Sequence, residues 1–91
     1  MPQLHAIVHG HVQGVSFRYY TRETALDLGL TGWVRNVPDG TVEVTAVGPR
    51  ESLDQFEHWL QHGPPGAWVS EVRVDWIDYP QTFTSFDIRY G

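Results

Sequence analysis

Residues 4–18 read Leu4-His5-Ala6-Ile7-Val8-His9-Gly10-His11-Val12-Gln13-Gly14-Val15-Ser16-Phe17-Arg18, and the hydrophobic period changes inside them. Leu4, Ala6, Val8 and Val12 alternate with His5, Ile7, His9 and His11, which is the pattern of a half-buried strand. Gly14 breaks that alternation. Beyond it Phe17, Thr21, Thr24, Ala25 and Leu28 fall on one helical face. Ser16 is the expected N-cap of this helix and Gly29 its expected stop.

Working outward, residues 31–36 and 41–47 read as two strands. Val37-Pro38-Asp39-Gly40 lies between them, and Asp-Gly flanked by apolar runs signals a hairpin. Gly48-Pro49-Arg50-Glu51 predicts a helix start with Pro at the first helical position. Leu53, Phe56, Trp59 and Leu60 form its apolar stripe, and Gly63-Pro64-Pro65-Gly66 ends it. Residues 69–79 alternate again, with Val72, Val74 and Trp76 on one face. Phe86, Ile88 and Tyr90 mark a short last strand. The order β-α-β-β-α-β with a terminal strand predicts an α+β, ferredoxin-like split βαβ sandwich. Its antiparallel sheet would have four or five strands and carry two helices on one face.

The bulk properties narrow the function. With 91 residues one domain is expected, spanning 1–91. The absence of Cys excludes disulfides, thiolate nucleophiles and Cys-ligated zinc, and fits a reducing, cytoplasmic compartment. Residues 1–12 carry no cationic start of a secretory signal, and no apolar run approaches the roughly 20 residues of a membrane span. A net charge of −5 disfavours nucleic acid and anionic membrane as partners. The aromatic signature of an RNA-recognition domain of this topology is missing too. An anion would need a local site that overcomes the average field.

Residues 10–18 offer one. Gly14 permits positive φ, so successive N–H groups can point into one concavity. The following helix places the positive end of its dipole there, and the planar fork of Arg18 suits phosphate oxygens. Asn36, at the end of the strand after that helix, could face the same loop if its strand lies near the first. Its amide can accept from a water and donate to an oxyanion. Either feature alone is an ordinary turn.

Together they resemble the acylphosphatase family. Gly10, Val12, Gln13, Gly14, Val15, Phe17 and Arg18 match one signature of that family. Gly32, Trp33, Val34, Arg35, Asn36, Gly40 and Val42 match the other, and the likeness extends to Phe86-Asp87-Ile88-Arg89-Tyr90. The resemblance implies a metal-independent, cofactor-free hydrolase of acyl phosphates. Arg18 and the backbone of Gln13, Gly14, Val15, Ser16 and Phe17 would bind the phosphoryl group, and Asn36 would hold the attacking water. Inorganic phosphate is then the product and an expected competitive inhibitor. The chain is expected to act as a free-standing monomer. Relatives commonly end at the Arg-Tyr pair, so the extra Gly91 leaves any role of the terminal carboxylate open.

Other arrangements carry less. His9 and His11 lack a legible third metal ligand. His58 and His62 lack the Glu that a zinc-hydrolase motif places between them. Asp75, Asp78 and Asp87 are expected on the solvent face, partnered by Arg73 and Arg89. A non-hydrolysing phosphate sensor, and the N-terminal domain of a larger maturation enzyme, are the competing readings. An intact Asn36 favours catalysis.

Overall fold

The computed structural model describes residues 1–78 and 80–90. The elements are β1 (Gln3–His11), α1 (Phe17–Asp27), β2 (Thr31–Asn36), β3 (Val42–Val47), α2 (Arg50–His62), β4 (Trp68–Ile77) and β5 (Phe86–Arg89). The expected end of the fourth strand at Tyr79, and the terminal Gly91, lie outside the described residues.

The strands form one five-stranded sheet in the order β4-β1-β3-β2-β5. Its even-numbered β1 residues Leu4, Ala6 and Val8 are fully buried, together with Val34, Val42, Val44 and Ala46. Both helices close over that face. α1 contributes Phe17, Thr21 and Ala25, and α2 contributes Leu53, Phe56 and Leu60. Each fully buried Leu or Phe stabilises the fold by about 1.5–3 kcal/mol. Trp59 is only half-buried and tilts against Phe17 at 5.7 Å, while Phe56 meets Phe86 edge-on at 6.1 Å. The two-layer sandwich is therefore the expected one.

The other face of the sheet is polar. Glu43 on β3 accepts hydrogen bonds from Arg35 Nε at 2.6 Å and pairs with His5 Nε2 at 2.7 Å. Burial pushes the Glu43 carboxyl up, but its hydrogen bonds from His5 and Arg35 outweigh that and hold it below the usual range.

Four local expectations are corrected. The sheet is mixed rather than antiparallel throughout, because β5 pairs with β2 in parallel. Ser16 sits at the N-cap position of α1 in the left-handed region (φ 61°), and its hydroxyl makes no capping bond. A capping hydroxyl needs extended backbone, which this turn does not provide. Pro49 is the N-cap residue of α2, one position before the first helical residue. Arg73 pairs with Glu71, and Arg89 lies over the Trp33 ring, so neither partners the strand aspartates. The stop of α1 is as expected: Gly29 N–H donates to Leu26 O and Leu30 N–H to Ala25 O, the paired bonds of a Schellman motif.

Candidate active site

Sheet order decides where the site can form. β2 lies near β1, with one strand, β3, between them. β3 runs antiparallel between them, so β1 and β2 point the same way. Val42 is paired with both Val8 and Asn36, which sets Asn36 level with Val8, shortly before β1 ends at His11. β5 is parallel to β2, with Arg35 opposite Arg89. The carboxyl ends of three strands therefore meet at one rim, where the chain also enters α1.

The turn at that rim is shaped for an anion. Gly14 and Ser16 both have positive φ, at 76° and 61°. A non-glycine residue held there costs about 1–3 kcal/mol, which the surrounding structure must offset. Such alternation of backbone hands turns N–H groups into a common concavity. The N-terminus of α1 adds its partial positive charge. A cavity of about 520 Å³ opens over this turn. Its wall includes Val12, Gly14, Ser16, Phe17 and Arg18 from the β1–α1 junction and Asn36 from β2. Tyr19 and Arg22 come from α1, and Ile88 and Tyr90 from the end of the chain. Among the described residues the wall carries two arginines and no Asp or Glu, against the sign of the chain's net charge.

Arg18, the second residue of α1, is half-buried and lies over the Tyr90 ring at 4.9 Å. That cation–π contact fixes the side chain while leaving its N–H groups free to donate. Asn36 Oδ1 is buried and has no hydrogen-bond partner among the described residues. An orphaned acceptor of this kind is uncommon and demands a reason.

Gly14, Ser16, Phe17, Arg18 and Asn36 are thus brought together. Gln13 and Val15 are not part of the cavity wall. Val15 packs on the core. The Gln13 side chain instead donates to Val37 O at 2.8 Å and Thr41 O at 2.9 Å, tying the turn to the β2–β3 hairpin. In that hairpin Gly40 N–H closes a turn on Val37 O, and Asp39 Oδ1 accepts from the Thr41 hydroxyl and amide. The Thr41 hydroxyl, then its amide, hold the Asp39 carboxyl below its usual range. Val12, Tyr19, Arg22, Ile88 and Tyr90 line the cavity without being site residues on the sequence reading. For Arg22 a signal existed, since it follows Arg18 by four residues on one helix face.

Away from the cavity, no three His, Asp or Glu side chains cluster among the described residues. His58 and His62 stack at 4.8 Å on the exposed side of α2. No described helix is long and apolar enough to cross a membrane.

Fold and rim together define an α+β sandwich with an anion-binding turn at the carboxyl ends of parallel strands. The sequence model of the acylphosphatase family matches residues 4–88. An acylphosphatase of Pelotomaculum thermopropionicum is 50% identical over 86 residues, covering 94% of each chain. The crystal structure of acylphosphatase from Bacillus subtilis superposes with a TM-score of 0.96 at 38% identity, covering 99% of this chain and 100% of that one. Full-length HypF contains a similar region, with a TM-score of 0.86 and 25% identity over 98% of this chain but 12% of that one. The chain belongs to the acylphosphatase family, whose reaction is the hydrolysis of acyl phosphates.

Proposed function

We propose that this chain hydrolyses the carboxyl–phosphate bond of acyl phosphates by direct attack of water, with the work divided between a cradle and a water holder. The backbone N–H groups of the turn that presents Gly14, Ser16 and Phe17 to the cavity, with the Arg18 guanidinium, hold the phosphoryl oxygens, and Asn36 Oδ1 accepts a hydrogen bond from the attacking water. The observation that carries this division is the unpartnered, buried Asn36 Oδ1 on the same cavity as Arg18 and the start of α1.

The chemistry asks for little more. The leaving group is a carboxylate, which departs as a stable anion and needs no proton from an acid. Phosphoryl transfer then depends on positioning and charge stabilisation. Fixed N–H groups and one guanidinium stabilise the three equatorial oxygens. The P–O bond to the acyl group breaks as the P–O bond to water forms, and the water's proton passes to a phosphoryl oxygen. The substrate itself serves as the base in this reading, since no His, Asp or Glu lines the cavity among the described residues. A monomer working in the cytoplasm completes this reading.

The test is turnover of benzoyl phosphate with and without EDTA, alongside an aromatic phosphate monoester. Activity should survive the chelator, and the monoester should be almost untouched, since its alkoxide-like leaving group finds no acid here. Inorganic phosphate should compete with substrate. Loss of activity with EDTA, or comparable monoester turnover, would overturn the mechanism.

A further inference from the structure

We propose that Arg22 is a second anion-binding residue of the cavity, selecting acyl phosphates that carry a carboxylate on the acyl group. The inference rests on the acyl phosphate reading above and concerns the part of the cavity that reading leaves unused.

Arg22 lies one helical turn beyond Arg18 on α1, and both side chains line the same cavity. Arg22 Nε is buried without a hydrogen-bond partner among the described residues. Glu23 forms an exposed ion pair with it at 3.6 Å, too long for a hydrogen bond and of a kind worth little in water. The Tyr19 ring lies 5.7 Å from the guanidinium carbon, a cation–π contact. The side chain as a whole is 37% exposed and lines the cavity, so the guanidinium can meet an anion there.

The other four arginines meet partners away from the cavity. The chain has six cationic side chains and all are Arg. Arg35, Arg50 and Arg73 donate to Glu43, Asp54 and Glu71, and Arg89 covers Trp33. Arg18 and Arg22 alone stand on the cavity. One phosphoryl group already meets the backbone cradle, the helix dipole and Arg18. A second guanidinium a turn away is surplus to it. The acyl chain must leave the cradle through the rest of a space of about 520 Å³, along a wall where Arg22 is the polar feature able to pair with an anion. Neighbours on one helix face at this spacing sit roughly 5–6 Å apart at Cβ. A carboxylate borne on a short acyl chain can bridge that separation while its phosphoryl end stays in the cradle.

The experiment compares 3-carboxypropanoyl phosphate with its methyl ester, which differ only in the distal charge. Wild-type protein should favour the free carboxylate in kcat/KM by about tenfold, mostly through KM, the scale of one charge-assisted hydrogen bond. In Arg22→Gln that ratio should fall to near one, and Arg22→Lys should keep part of it. A wild-type ratio near one overturns the proposal even if Arg22→Gln does not fold. An Arg22→Gln protein that keeps the wild-type ratio, because both substrates fall together or neither changes, also overturns it. Failure of wild-type protein to hydrolyse either compound or benzoyl phosphate would be a different result, one that removes the acyl phosphate reading and this proposal with it.

Discussion

Truncating Asn36 to Ala separates chemistry from stability in an unusual direction. Asn36 Oδ1 makes no hydrogen bond in the free protein, so Asn36→Ala removes no native contact of that atom. An unsatisfied buried polar atom costs about 1–3 kcal/mol, and its loss returns part of that. Against this stands a few tenths of a kcal/mol from the poorer strand preference of Ala. Stability should therefore stay level or rise by up to about 1 kcal/mol, which for a domain of this size is a melting temperature up by roughly 4–8 °C at most. Turnover should move the other way. Losing one preorganised contact to the reacting water costs about 3 kcal/mol, or roughly 10²-fold in kcat. The phosphate inhibition constant should hardly move, because phosphate sits on the cradle and Arg18. The assay is kcat for benzoyl phosphate, the phosphate inhibition constant and a thermal melt on one preparation. Undiminished kcat, or a loss of kcat that tracks lost phosphate binding, would refute the reasoning.

Three further outcomes follow from the same geometry. Arg18→Ala should raise KM and lower kcat together and abolish phosphate inhibition, with Arg18→Lys restoring little because an ammonium lacks the fork; steady-state kinetics decide it. Gly14→Ala should fold, since a Cβ there meets nothing within 4 Å, but the 76° φ should cost about 1 kcal/mol and weaken phosphate inhibition, read by melting and by inhibition assays. Glu43→Gln should cost about 1 kcal/mol at neutral pH, measured by denaturant titration across pH. The folded Glu43 pKa is depressed, so its stabilisation is present above the unfolded value, roughly pH 4.3, and disappears as pH falls through the lower folded value. The variant and the parent should converge in acid.

Much of this arrangement was legible in the residues because it is local. The alternation of Leu4, Ala6 and Val8, the break at Gly14 and the stop at Gly29 act within a few residues of themselves. Asn36 was expected to face the loop because its strand lies near β1; the strand between them, and the shared pairing on Val42, were not legible. The parallel docking of β5 was not legible, since a four-residue strand carries no sign of its partner's direction. The Ser16 left-handed turn was hidden by a residue type that normally caps helices. Gln13 sits in the signature for the cradle, yet its side chain works as a tie to two carbonyls more than twenty residues away. Such ties depend on tertiary placement.

The double pairing of Val42 has a consequence for tolerance. The strands that lead to the cradle and to the amide stand two strand spacings apart, roughly 9.5 Å, a length laid out in backbone hydrogen bonds. A misplacement of about 1 Å at a reacting centre can cost about 10²-fold in rate. Were the gap spanned by side chains, every exchange along it would retune the enzyme. A ladder of peptide groups works instead as a ruler whose graduations do not depend on which residues are written on it. The chain can revise its outer face, its helix surfaces and much of its apolar filling while water and phosphorus keep their separation.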